Sequence, residues 1–128
     1  MPAPPADVLE AIREFLEASR GARREMVEYE EALVRGVVAL EGGTSVMDAL
    51  RATPAREERM ATQVALSRLA TARHHFRLLL IAACVEDGMN AREVSELWGF
   101  SRQRAQLLIQ EARAVKAPDG ERPTDRRD

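Results

Sequence analysis

An all-α fold is predicted by three features of this 128-residue sequence. Aromatic residues make up only 4% of it, so alanine and aliphatic side chains must fill any core, a composition that favours helices. No long run alternates β-branched with polar residues, so strand signals are nearly absent. Apolar residues recur instead at steps of three and four over 8–40 and again over 61–83. The expected architecture is a long N-terminal helix, then a helical core, then a group of three C-terminal helices.

The elements follow in order. Residues 1–6 are a Pro/Ala-rich leader, expected to be disordered. Asp7 suits a helix N-cap, and no proline interrupts the chain from Val8 to Leu40. Val8, Ile12, Phe15, Ser19, Ala22, Met26, Tyr29, Leu33, Gly36 and Leu40 form a heptad seam, with Glu and Arg over much of the remaining surface. A helix of about thirty residues is ~45–50 Å long, which is long for a domain this small. The seam therefore predicts a dimer contact through Ile12, Phe15, Met26, Tyr29, Leu33 and Leu40; the alternative is packing on its own domain. Gly21 and Gly36 are where such a helix would break, each costing ~1 kcal/mol relative to Ala. Gly42 and Gly43 end it, so residues 7–42 are assigned to dimerisation and 43–116 to a helical domain.

Thr44 is expected to cap a short helix over 45–51 with Val46, Met47 and Leu50 inward. Thr53 and Pro54 then open a helix as N-cap and first helical residue. Its stripe is Ala61, Ala65, Leu69, Ala72, Phe76, Leu79 and Ala83. From Leu78 to Val85 every residue is apolar, which predicts a segment buried on all sides. Gly88 stops it, Asn90 caps the next helix, and Glu93 completes a capping-box spacing. Residues 117–128 lack an apolar anchor beyond Ala117; they are expected to be a disordered tail with no room for a β-wing.

Residues 88–113 meet the requirements of a helix-turn-helix in one register. Ser95 is the small residue that lets two helices approach. Gly99 tolerates the positive φ of a sharp turn, Phe100 plugs the core and Ser101 caps the second helix. Val94, Leu97 and Trp98 are assigned inward on the first helix, and Ala105, Leu108, Ile109 and Ala112 on the second. The opposite face carries Arg and Gln, which make bidentate contacts to guanine and adenine. Arg102, Gln103 and Gln106 are the base-contact candidates. Arg92, Ser101, Arg104, Gln110 and Arg113 are the phosphate candidates.

The segment from Leu69 to Arg113 resembles the region 4 helix-turn-helix of bacterial sigma-70-type factors and related regulators. The likeness rests on Leu78-Leu79-Leu80, the break at Glu86-Asp87-Gly88, the run from Ala91 to Ser101, and the helix ending Glu111-Ala112-Arg113. It covers about a third of the chain, and Trp98 is bulkier than the aliphatic residue usual in that family. Nothing in residues 1–60 looks like the promoter-melting or core-binding regions of a sigma factor. The resemblance thus implies a small transcription regulator with a sigma-like reading module; RNA polymerase is a partner by analogy only.

Charge is compatible with this without deciding it. The net charge is −2, with five Arg against nine acids in 1–42, six Arg against three acids in 43–80, and four basic residues against Glu111 in 101–116. Eighteen of the nineteen basic residues are Arg, which suggests a GC-rich bacterial genome. Cys84 is the sole cysteine, which excludes an intramolecular disulfide, and its apolar surroundings assign it to the core. His74 and His75 point ~100° apart on a helix and chelate poorly; they read as one packed and one exposed side chain. Arg73 and Arg77 read as a solvated face. No nucleophile–base pair, carboxylate dyad or phosphate loop is apparent, so neither an enzyme, a cofactor nor a metal site is expected. No apolar run approaches ~20 residues and no signal peptide is evident, which predicts a cytoplasmic, nucleoid-associated protein without a membrane span. The reading is a dimeric double-stranded DNA-binding regulator with residues 101–114 in the major groove. The alternative is a protein-interaction module on the same scaffold.

Overall fold

The computed structural model describes residues 5–116 of the chain, the Lys116 side chain excepted. The tail and all but Pro5 and Ala6 of the leader lie outside the described residues. Among the described residues there are five helices and no strand, so the fold is all-α. They are α1 (Ala6–Glu41), α2 (Val46–Arg51), α3 (Ala55–Glu86), α4 (Ala91–Trp98) and α5 (Arg102–Lys116). The chain divides into two compact units, and the division cuts through both long helices. Arg13–Ala72 forms one unit; 5–12 with 73–116 forms the other. The boundary at 42/43 drawn from the sequence falls inside the first unit.

In the unit Arg13–Ala72, α1 and α3 run side by side. One groove is lined by Glu14, Ala18 and Ala22 of α1 with Val64, Ala65 and Arg68 of α3. A second is lined by Glu28 and Arg35 with Glu57 and Thr62. Higher numbers on α1 meet lower numbers on α3, so the pair is antiparallel. α1 runs unbroken for 36 residues, through both Gly21 and Gly36, a length of ~54 Å. α3 is equally continuous over 32 residues.

The covered seam of α1 in this unit differs from the expected one by one residue in every other step. Phe15, Ala18, Ala22, Glu25, Ala32, Gly36 and Ala39 are buried or half-buried. Phe15, Ala22 and Gly36 were expected, but the alternate positions belong to Ala18, Glu25, Ala32 and Ala39 rather than to Ser19, Met26, Leu33 and Leu40. Small side chains let two helices approach closely, and larger neighbours are left on the flank. On α3 the covered stripe is Glu58, Thr62, Ala65, Leu69 and Ala72, so Ala61 of the expected stripe is displaced by Thr62.

The connection corrects two expected caps. Gly43, at φ 95°, makes the turn after α1. Ser45, not Thr44, caps α2: its hydroxyl accepts from the Asp48 amide at 3.1 Å. Thr53 does not cap α3; its hydroxyl donates to the Leu50 carbonyl at 3.0 Å, and the Pro54 carbonyl accepts from the Glu58 amide. Val46, Met47 and Leu50 are not inward but 63%, 60% and 58% exposed. A helix of six residues at the hairpin end has no layer of this unit above it.

In the second unit, one core unites α3, α4 and α5. Leu78, Ile81 and Ala82 meet Val94, Leu108 and Ile109, with Ala105 and Ala112 at the close approaches. The expected burial of the 78–85 segment is graded: Leu78, Leu79, Ile81 and Ala82 are buried, while Leu80, Ala83, Cys84 and Val85 are half-buried.

Candidate nucleic-acid interface

The interface candidate is built on α4, α5 and the turn between them. α3 stops at Gly88 (φ 103°), where the Gly88 and Met89 amides donate to the Val85 and Cys84 carbonyls. Asn90 then opens α4 through a complete capping box: its side chain accepts from the Glu93 amide at 2.9 Å, and the Glu93 carboxylate accepts from the Asn90 amide at 3.2 Å. α4 closes on Gly99 in the left-handed region at φ 76°. Ser95 secures the turn, its hydroxyl donating to the Phe100 carbonyl at 2.7 Å. Its small size permits the approach, and its hydroxyl satisfies a carbonyl at the turn. Ser101 caps α5 by accepting from the Arg104 amide at 3.1 Å.

Packing fixes which way α5 faces. Ala105, Leu108, Ile109 and Ala112 are buried. At 100° per residue the opposite side is centred on Gln103, Leu107, Gln110 and Ala114, flanked by Gln106 and Arg113 on one edge and by Arg104 and Glu111 on the other. All of these are exposed, as is Arg102 in the first turn. The structure thus gathers Arg102, Gln103, Arg104, Gln106, Gln110 and Arg113 on the exposed surface of one helix. Arg92 lies on α4, where its Nε is 3.6 Å from the Glu96 carboxylate in an exposed pair.

Leu97 is a correction. It was assigned inward with Val94 and Trp98, but it is 63% exposed, whereas Val94 is fully buried and Trp98 packs on the core. Val94 and Trp98 are four residues apart and share a face, and Leu97 turns off it. Leu107, 59% exposed in the middle of the α5 outer face, is a candidate that sequence reasoning missed.

Electrostatics favour an anion at the start of α5. Its first turn carries no acid and holds Arg102 and Arg104. A helix N-terminus is already positive, so two arginines there oppose the helix dipole until an anion arrives. Arg104 and Arg77 both lie over the Phe100 ring, at 5.3 and 5.6 Å from its centre. Such contacts hold the guanidinium planes while leaving hydrogen-bonding edges available.

A polar cluster links α3 to α5. His74 Nε2 lies 2.6 Å from Glu111 Oε2, and an Arg77 terminal nitrogen lies 3.1 Å from His74 Nδ1. Arginine only donates, so Nδ1 accepts and Nε2 carries the proton given to Glu111. The cluster overturns two expectations. His74 and His75 are both half-buried rather than one packed and one exposed, and Arg77 is not on a solvated face: its Nε is buried without a hydrogen-bond partner. Glu111, the acid of α5, is therefore engaged by His74 rather than facing an incoming anion unpaired.

Cys84 is half-buried. Burial raises its thiol pKa above the ordinary value, and the nearby Asp87 carboxylate adds to the rise. No group of three His, Cys, Asp or Glu side chains able to hold a metal occurs among the described residues. No helix among them is long and apolar enough to cross a membrane. Comparison with protein-family models, with curated proteins and with solved structures finds no match.

Proposed function

We propose that the chain is a sequence-specific double-stranded DNA-binding transcription regulator that works as a dimer and lays α5 in the major groove. The observation that carries the reading is the outer face of α5. It presents Arg and Gln on a helix whose inner face is locked into a core, with a cationic first turn awaiting an anion. Arg102, Gln103 and Gln106 contact bases in this reading, and Leu107 lies against a thymine methyl. Arg92, Ser101, Arg104, Gln110 and Arg113 hold phosphates. The sigma-70 region 4 resemblance of residues 69–113 supports the same docking, and the protein acts by binding rather than catalysis. A two-fold dimer would address half-sites ~34 Å apart or a multiple of that.

The test is duplex binding followed by fluorescence anisotropy as salt is raised. Association with a random-sequence duplex at low salt, weakening steeply with salt in proportion to the phosphates neutralised, is expected. Absence of duplex binding at low salt refutes the reading. A second reading, a protein-interaction module that docks RNA polymerase or another regulator, is favoured by the exposure of Leu97 and Leu107. A binding surface for protein would keep its affinity when Arg102 and Gln103 are removed and lose it when the two leucines are made polar.

A further inference from the structure

We propose that the free end of the α1–α3 hairpin, residues 32–50, is the surface on which a second copy of this chain docks. The inference deepens the dimer half of the functional reading and is independent of its DNA half. It keeps Leu33 and Leu40 of the expected contact and moves the rest toward the hairpin end. The small-residue seam of α1 is already occupied within the unit, so a partner must take other faces.

The C-terminal two turns of α1 read Ala32-Leu33-Val34-Arg35-Gly36-Val37-Val38-Ala39-Leu40, with one charge in nine residues. Only Ala32 among them is buried, with Gly36 and Ala39 half-buried. Leu33, Val34, Val37, Val38 and Leu40 are 46–66% exposed and point around the rest of the helix circumference. A helix that is apolar on every side is stable in water only when every side is covered. The same helix 20 residues earlier is different: of its outward positions, Arg13, Glu14, Glu17, Ser19 and Arg20 are polar and Leu16 is the one large apolar residue.

α2, which begins five residues after α1 ends, adds Val46, Met47 and Leu50, again more than half exposed. At on the order of 100 Å² for each half-exposed side chain, these eight residues present roughly 800 Å². That exceeds the usual largest patch of a monomer and matches what one partner contributes to a standard interface.

The rim argues for a like partner. Glu28, Glu30 and Glu31 precede the patch and Glu41 and Asp48 lie beside it, while Arg35 and Arg51 supply the opposite sign. A two-fold contact sets the same rim against itself in reverse, so acids and bases of one copy can face their opposites on the other. An apolar centre with a rim of both signs is the anatomy of such an interface.

Sedimentation velocity of the full chain without DNA, from about 1 to about 100 µM, tests this. The expected species has near twice the 14.3 kDa chain mass. Val34→Glu combined with Val38→Glu is expected to weaken association roughly 100-fold while helical circular dichroism is retained. Leu107→Glu, on α5, is expected to leave it unchanged. Should the double variant misfold, hydrogen exchange of the wild type decides: amides of 32–50 gain protection as concentration rises. A wild type that stays monomeric throughout the range overturns the proposal, and so does a dimer indifferent to Val34 and Val38. Duplex binding by a monomer would sink this inference and the dimer half of the functional reading but leave its DNA half; a dimer that ignores DNA would sink the DNA half alone.

Discussion

The two compact units use their apolar residues in opposite ways. In the unit holding α4 and α5, Ile81 and Val94 are completely buried and the polar residues gather outside. In Arg13–Ala72, the buried positions are alanines, while Leu33, Val34, Val38 and Met47 stand in solvent. The unit with α4 and α5 is finished as a fold and offers a polar surface with a fixed orientation. Arg13–Ala72 buries small side chains and leaves its large apolar ones exposed. Under the proposed function, reading would fall to one unit and pairing to the other.

Substitutions in the two units should separate these roles. The largest effect is expected from Ile81→Ala, which removes a fully buried side chain and should cost ~2–5 kcal/mol by denaturant unfolding. Val38→Ala, at a position 66% exposed, should change monomer stability at low concentration by less than ~0.5 kcal/mol. Comparable losses would erase the distinction. Glycine provides a finer contrast. Gly99 sits at φ 76°, so Gly99→Ala should destabilise by ~1–2 kcal/mol. Gly21 lies mid-helix and a methyl there meets only an arginine tip at 3.8 Å, so Gly21→Ala should stabilise by ~0.5–1 kcal/mol. Thermal melts of both variants check the opposite signs.

The smallest effect is expected at Cys84. Its thiol pKa is raised in the fold, so near neutral pH native protein should react more slowly with a thiol reagent than unfolded protein. The sign for stability follows. The folded state holds its proton to higher pH than the unfolded one, so any contribution is intact at neutral pH. It is lost as pH rises through the thiol range. Fast labelling of the native state would show that the cysteine is not sheltered.

Sequence reasoning succeeded where structure is local. Gly88, the Asn90–Glu93 capping box, the turn at Gly99 and the inner face of α5 are set by interactions within a few residues, and each was legible. It failed where partners are distant or where size matters more than hydropathy. The side by which α1 packs in its own unit, with Ala18, Glu25, Ala32 and Ala39, gives no hydropathy signal beside Met26, Leu33 and Leu40, the residues expected at a dimer contact, which are exposed in the single chain. Val46, Met47 and Leu50 were placed inward because hydropathy cannot say whether a covering layer exists. Leu97 fits a helical apolar pattern with Val94 yet turns outward. The His74–Glu111 bond joins residues 37 apart and had no sequence signal beyond a histidine and an arginine three positions apart on α3.

In the proposed function α5 reads DNA with the residues of its first turns. Its most direct test is anisotropy of a duplex selected from a randomised pool, titrated with wild type and with Arg102→Ala combined with Gln103→Ala. Both residues are exposed and remote from the core, so circular dichroism should remain native. The double variant is expected to lose the selected site's advantage over random duplex, with a loss of ~2 kcal/mol or more. Undiminished affinity and specificity in a folded double variant would contradict it.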